Sequence, residues 1–422
     1  MLKVALMLRL TCGLLSLYLV GLVAPDAAAE LPVGDSAAAP FADGTLEGAT
    51  THLQREVASK QIVGGMHLVL HAGKVVHFAL AGAADIEEGG LLKKDALMRI
   101  FSMSKPITSV AAMQLWEQGK FRLDDPVARF IPSFADIKVR VTRNGKTQLV
   151  PPLRPVTVRD LLRHTSGFSY GRKYGEQVLQ DHRRVGVLYG GTKNMFPPEM
   201  TIAQAADALA QVPLLHHPGE QFTYGFNTDV LGRLVEVWSG DRLDHYMQKA
   251  IFDPLAMRDT GFFVPGEKAA RFTSCHAVEE GKNVVVDRVS PHNPYVRGMK
   301  FISGGGGLVS TMEDYARFCL MMMAGGELNG QRVLKHATVW TMFSDQLDPA
   351  LEHARWGLGF EIKPIELGSG KTVTGYRWGG YANTNFVIIP ERQLIQIFMR
   401  QNVPSTHRVS RKLFQRIYQG MR

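Results

Sequence analysis

The chain has 422 residues, 45% of them hydrophobic and 21% charged, with a formal net charge of +9. That is enough apolar material for one large domain or two closely packed ones, and it excludes general disorder. The Lys and Arg residues are scattered without a long block of like charge, which argues against nucleic-acid binding, and three cysteines are too few for a disulfide-built scaffold.

At the N-terminus Lys3 and Arg9 precede the apolar run LTCGLLSLYLVGLV (10–23), and Ala27 and Ala29 form a small-x-small pattern before Glu30. This reads as a secretion signal over residues 1–29, with export to a periplasm or beyond. The run falls short of the roughly 20 apolar residues of a spanning helix. Extending it back to Val4 would enclose Arg9, so an uncleaved anchor is the less favoured alternative. With the signal removed, no stable membrane insertion is expected.

Residues 30–44 are small and turn-rich and form a flexible lead-in to a single domain over 45–422. TLEGATTHLQREVASKQ (45–61) has helical spacing, and GMHLVLHAGKVVHFALAGAAD (65–85) alternates around a His71-Ala72-Gly73-Lys74 turn, which predicts a hairpin. A long helix-rich stretch, about 101–345, follows. Cys319 lies in the apolar helical run DYARFCLMMM, which predicts a buried free thiol. NFVIIPERQLIQIFMRQN (385–402) repeats the strand-turn-strand layout, and HRVSRKLFQRIYQG (407–420) is a helix with Leu413, Phe414, Ile417 and Tyr418 inward. The expected fold class is α/β of the α+β type. N- and C-terminal strands would meet in one antiparallel sheet flanked by helices, with the helix-rich middle against one side.

RIFSMSKPITSVAAMQLWEQG (99–119) opens the helical region. Ser102 and Lys105 stand three apart at a helix start, with Pro106 where the first turn tolerates a missing N–H. That spacing puts both side chains on one face, so the Lys can reach a hydroxyl that is a weak nucleophile until a base takes its proton. The helix N-terminus also favours developing negative charge. The same residues fit a plain N-cap Ser with a solvated Lys, and S-x-x-K alone does not separate the two. Ile107, Val110, Ala111 and Leu115 form the expected buried stripe, and Gly119 the expected end.

Beyond that tetrapeptide the chain resembles the serine β-lactamase and penicillin-binding-protein superfamily, and within it the class C β-lactamase-like esterases of carboxylesterase family VIII. The resemblance rests on RIFSMSKPITS (99–109), KFRLDDPVARFIP (120–132), VTVRDLLRHTSGFSYG (156–171), PGEQFTYGFNTDVLGRLVEVWSG (218–240), PLAMRDTGF (254–262), SGGGGLVSTMEDYARF (303–318) and WGG (378–380), which recur in order over most of the chain. It implies the β-lactamase/transpeptidase-like fold, Ser102 as nucleophile, and Lys105 with Tyr224 as its base. The backbone N–H groups of Ser102 and Tyr381 would form the oxyanion hole, and Trp378, Gly379 and Gly380 would line the substrate.

Two departures bear on the substrate. The second motif of β-lactamases carries an Asn two residues after its Tyr, whereas here Phe226 fills that slot and Asn227 comes one residue late; both are candidate substrate contacts. The third motif has Trp378 in place of Lys, and Arg377 beside it should face the other side of a strand. These changes favour neutral, apolar acyl esters over anionic substrates. The reading is therefore an exported serine hydrolase acting on small-molecule esters by an acyl-enzyme, with acyl transfer as a variant. A β-lactamase or D-Ala-D-Ala carboxypeptidase on the same machinery is the alternative; a non-catalytic binding module is a more distant one.

Other signals are discounted. SGGGGLV lacks the P-loop Lys and reads as a turn lining the cleft, and His216-His217 lack metal-ligand spacing. His164 is expected to order a turn rather than to act as a base, Asp124-Asp125 to cap, and Met322-Met323 to sit in the core. No metal or organic cofactor is implied.

Overall fold

The computed structural model describes residues 30–171, 173–187, 196–197, 199–351 and 355–422, so the segment read as a secretion signal lies outside the described residues. Leu31–Arg422 forms one structural unit. Its centre is a six-stranded sheet in which Gly64–His71 pairs antiparallel with both Lys74–Gly82 and Leu394–Met399. The sheet continues through Asn385–Ile389 and Thr372–Gly379 to an edge strand, Glu361–Glu366. The two ends of the chain therefore meet in one sheet, with Leu68 opposite Ile397, as the paired hairpin patterns predict.

Gly64–His71 is buried along nearly its whole length, because helices cover both faces. On one face Val69 and Phe398 pack with Leu53 of the helix Thr45–Ala58 and with Leu413 and Ile417 of the helix Arg408–Gly420. On the other, Leu68, Ile397 and Phe386 join the large core that contains the helix Ser104–Glu117 and the helix Met312–Met323. Cys275 and Cys319 are both buried and free.

Three details differ from the sequence reading. The helix Ser104–Glu117 has no solvated face along most of its length: Ser104 to Met113 are all buried. It lies within the core between the sheet and the helix Asn227–Ser239, where small residues (Ala111, Ala112, Ser109) admit neighbours on every side. The middle region is also less helical than expected. It carries the hairpins Val139–Arg143/Lys146–Val150 and Cys275–Glu279/Lys282–Asp287. Their turns, Asn144-Gly145 and Glu280-Gly281, have positive φ at both residues, as does Ala72-Gly73. This backbone twist suits a two-residue hairpin loop. Finally, the edge strand Glu361–Glu366 adds a sixth strand beyond the two predicted hairpins and the WGG edge.

Candidate active site

Ser102 sits on a short 3-10 turn, Phe101–Met103, just before the helix Ser104–Glu117. Phe101 has φ 45°, a conformation uncommon for a non-glycine residue and costly unless its surroundings impose it. Several contacts impose it here. The N–H of Ile100 donates to Leu308 O at 3.0 Å, that of Leu308 to Ser104 Oγ at 3.1 Å, and Tyr315 Oη–H to Met103 O at 3.0 Å. Three residues along, Lys105 is fully buried. Its Nζ donates to Ser102 Oγ at 3.2 Å, to Tyr170 Oη at 2.9 Å and to Gly305 O at 2.6 Å. The solvated Lys of the plain-cap reading is thus ruled out: the ammonium's hydrogen bonds are all spent on the site.

Two phenols flank that lysine. Tyr224 lies on the loop before the helix Asn227–Ser239, and Lys105 Nζ stands 4.6 Å from its ring centroid. Tyr170 follows the short helix Val158–Leu162, which a capping box of Thr157 and Asp160 starts. The two rings meet edge to face, 5.5 Å apart. The loops that carry them are joined where Thr223 N–H donates to His164 O at 2.7 Å. Tyr170 was not picked out from the sequence, although it lies inside the quoted stretch HTSGFSYG. Burial, then the neighbouring Tyr224 and Asp229, push its pKa well above the usual phenol value, so it keeps its proton. The oxygen of Tyr224 instead receives the Trp378 indole N–H at 3.3 Å. His164 packs 5.0 Å from the Tyr224 ring. Burial first, and Lys105 second, hold its imidazole well below the usual histidine range, so it stays neutral.

The strand Thr372–Gly379 forms the opposite wall. Trp378 stacks at an angle on Tyr224, 5.2 Å away, and edge-on to Trp356 at 4.5 Å. Arg377 points to the other face, where its Nε donates to Glu361 at 2.7 Å. Any Cβ on Gly380 would collide with the carbonyl of Ile100, so only glycine lets this strand end reach the nucleophile's turn. Thr384 Oγ1 donates to the same carbonyl at 3.2 Å, and the rings of Phe101 and Tyr381 meet edge to face at 5.9 Å. Tyr381 is thereby packed against Phe101, the residue before Ser102.

Phe226 and Asn227 do not join this group, which corrects the expectation that they touch substrate. Phe226 is 1% exposed; its ring packs on Tyr170 at 4.8 Å and on His182 at 5.8 Å, behind the cleft wall. Asn227 is fully buried and its amide is used up, accepting from Ser166 Oγ at 2.5 Å and donating to Thr223 O at 3.3 Å. Both serve the helix start, where an apolar ring and a doubly bonded amide lock the loop that presents Tyr224. His216 supports the same loop, with Nε2 2.8 Å from Thr223 Oγ1. The SGGGGLV segment forms a largely buried turn at 304–306 that borders the site, its Gly305 carbonyl accepting from Lys105. Among the described residues no group of three or more His, Cys, Asp or Glu is gathered to hold a metal ion.

Residues 49–418 match the Beta-lactamase family. Esterase EstB of Burkholderia gladioli is 29% identical over 350 residues, covering 78% of this chain and 83% of EstB. The lovastatin esterase of Penicillium rubens is 29% identical over 304 residues, 68% of this chain and 69% of its own. Among solved structures, EstCE1, described as a hydrolase with promiscuous acyltransferase activity, superposes with a TM-score of 0.72 at 22% identity, over 89% of this chain and 99% of EstCE1. Unliganded simvastatin synthase of Aspergillus terreus, as the selenomethionyl derivative, gives 0.74 at 23% identity, over 90% and 98%. At these identities the structural likenesses establish the shared fold.

Proposed function

The chain belongs to the Beta-lactamase family and is a serine hydrolase, and we propose that within it the protein cleaves neutral carboxylic esters through an acyl-enzyme on Ser102. The carrying observation is the 3.2 Å hydrogen bond from a fully buried Lys105 Nζ to Ser102 Oγ, an arrangement a merely structural serine does not need. Tyr224 takes the Ser102 proton as Oγ attacks the ester carbonyl, while Lys105 holds that oxygen in place. Backbone N–H groups of Ser102 and Tyr381 receive the oxyanion, a contribution of roughly 10²–10³ in rate for each such donor. The alcohol leaves with the proton, and water activated by Tyr224 then releases the acid.

The ester preference rests on the wall opposite Ser102. Trp378 presents an indole there while Arg377 is held on the other face by Glu361, so the strand offers an apolar surface where an anionic substrate needs a cation. The esterase relatives agree with this reading. With residues 1–29 acting as a secretion signal, the reaction takes place outside the cytoplasm.

Side-by-side assay of p-nitrophenyl butyrate and a chromogenic cephalosporin tests the substrate class. Fast ester turnover with slow or no lactam opening is expected; dominant lactam opening would overturn the ester assignment. The two phenols are separable as well. Tyr224→Phe is expected to lower kcat by 10²-fold or more, in the range of general-base loss, and Tyr170→Phe by clearly less. The reverse order would make Tyr170 the base.

A further inference from the structure

Lys105 is fully buried, and a buried lysine keeps its charge only where hydrogen bonds and a counter-charge compensate its lost hydration. Its shortest hydrogen bond goes to neither Ser102 nor Tyr170. It goes to Gly305 O, at 2.6 Å, 200 residues away in the chain. The position of that carbonyl is set by Asp229, in the first turn of the helix Asn227–Ser239. Asp229 Oδ1 accepts from Ser303 Oγ at 2.5 Å and from the N–H of Gly305 at 3.2 Å. A Cβ on Gly305 would lie 2.5 Å from Asp229 Oδ2, so the glycine there is what lets the backbone close on the carboxylate.

We infer that Asp229 is a positioning residue, which holds Lys105 on Ser102 through the backbone of Gly305 and supplies the buried negative charge that balances its ammonium. The inference rests on the reading of Ser102 and Lys105 as the reacting pair. It accounts for a buried carboxylate that the reaction does not otherwise use, and for the glycine at 305 within the run 304–307. Burial lifts the Asp229 carboxyl above its ordinary range, while Lys105, Ser303 and Gly305 act to stabilise the carboxylate. The same charge helps keep Tyr170 protonated, which leaves the phenol nearest the ammonium as a hydrogen-bond partner.

The test is Asp229→Asn in the full-length protein. The amide keeps an oxygen for Ser303 and Gly305 and removes only the charge. Fluorophosphonate labelling of Ser102 and kcat/KM for p-nitrophenyl butyrate are both expected to fall 10- to 100-fold, with the loss in kcat and KM little changed. Removing a buried negative charge lets neighbouring groups lose their protons at lower pH, so the pH profile of labelling should move to lower pH. A purely structural role would lower the melting temperature without moving that profile. A folded Asp229→Asn protein with the wild-type labelling rate and profile would overturn the inference. Should that variant fail to fold, Ser303→Ala decides: a several-fold slower labelling with a displaced profile supports it, and wild-type behaviour refutes it. Labelling of wild-type Ser102 without ester turnover would instead refute the ester assignment alone, since labelling reads the pair and not the substrate.

Discussion

Ser102→Ala is expected to reduce ester hydrolysis by about 10⁴-fold or more, because the acyl-enzyme has no other acceptor and the remaining groups act only on its transition states. The fold should survive the change. Ser102 Oγ receives a hydrogen bond from Lys105, which keeps Tyr170 and Gly305 as partners, and the strained turn is held by Ile100, Ser104 and Tyr315 rather than by the hydroxyl. The measurement is kcat on p-nitrophenyl butyrate together with the intact mass after fluorophosphonate treatment. Wild type should gain one adduct and the variant none. Hydrolysis that persists in the pure variant with an unchanged rate would place the chemistry elsewhere.

Lys105→Met should lower kcat by about 10³-fold, within the range of base and nucleophile activation, and should also weaken the fold. Methionine fills much of the volume but leaves Asp229 without the nearby positive charge that now stabilises its carboxylate. Stranding one member of a buried charge pair costs roughly 3–5 kcal/mol. The cost has a pH signature. In the variant the folded-state pKa of Asp229 rises further above its unfolded value, so the folded state binds the proton more tightly. Stability is then retained below the unfolded carboxylate value and lost as pH rises through the folded one. Denaturant unfolding of wild type and variant at pH 5 and pH 8 should show a gap that widens at pH 8. A gap that is constant or narrows with pH would mean that Asp229 does not sense the ammonium.

Both predictions turn on contacts of very different sequence range. The Ser102–Lys105 pair is three residues apart, and helix geometry alone brings such residues together, so SMSK offered a candidate pair before any fold was known, and the resemblance gave it a role. The hairpin at Ala72-Gly73 was legible for the same local reason, and so was the amphipathic helix Arg408–Gly420. Asn144-Gly145 and Glu280-Gly281 carry the same turn chemistry, but they lie inside a region whose pattern is mainly helical. Their strands are short, and Lys146–Val150 is largely exposed, so hydrophobic alternation marks them weakly.

Phe226 and Asn227 show the limit from the other side. Aligned to a motif, they occupied or neighboured a substrate-binding slot. Their side-chain direction depended on which surfaces the loop before the helix Asn227–Ser239 would meet, and it met Tyr170, His182, Ser166 and Thr223.

The sequence by itself brought Ser102 and Lys105 to one face of a helix start, marked the two terminal hairpins, and put Trp378 where the resembled motif has a cation. The first two follow from residue type at a local spacing that backbone geometry converts directly into proximity, whereas Trp378 gains its meaning only from the resemblance. Only the tertiary structure decided that Lys105 is buried, that Tyr170 stands beside it 65 residues away, and that Gly305 and Asp229 close the network from the far side. Those meetings are made by loops whose path is set by packing against the core, and no local propensity encodes which buried oxygen a distant ammonium will find.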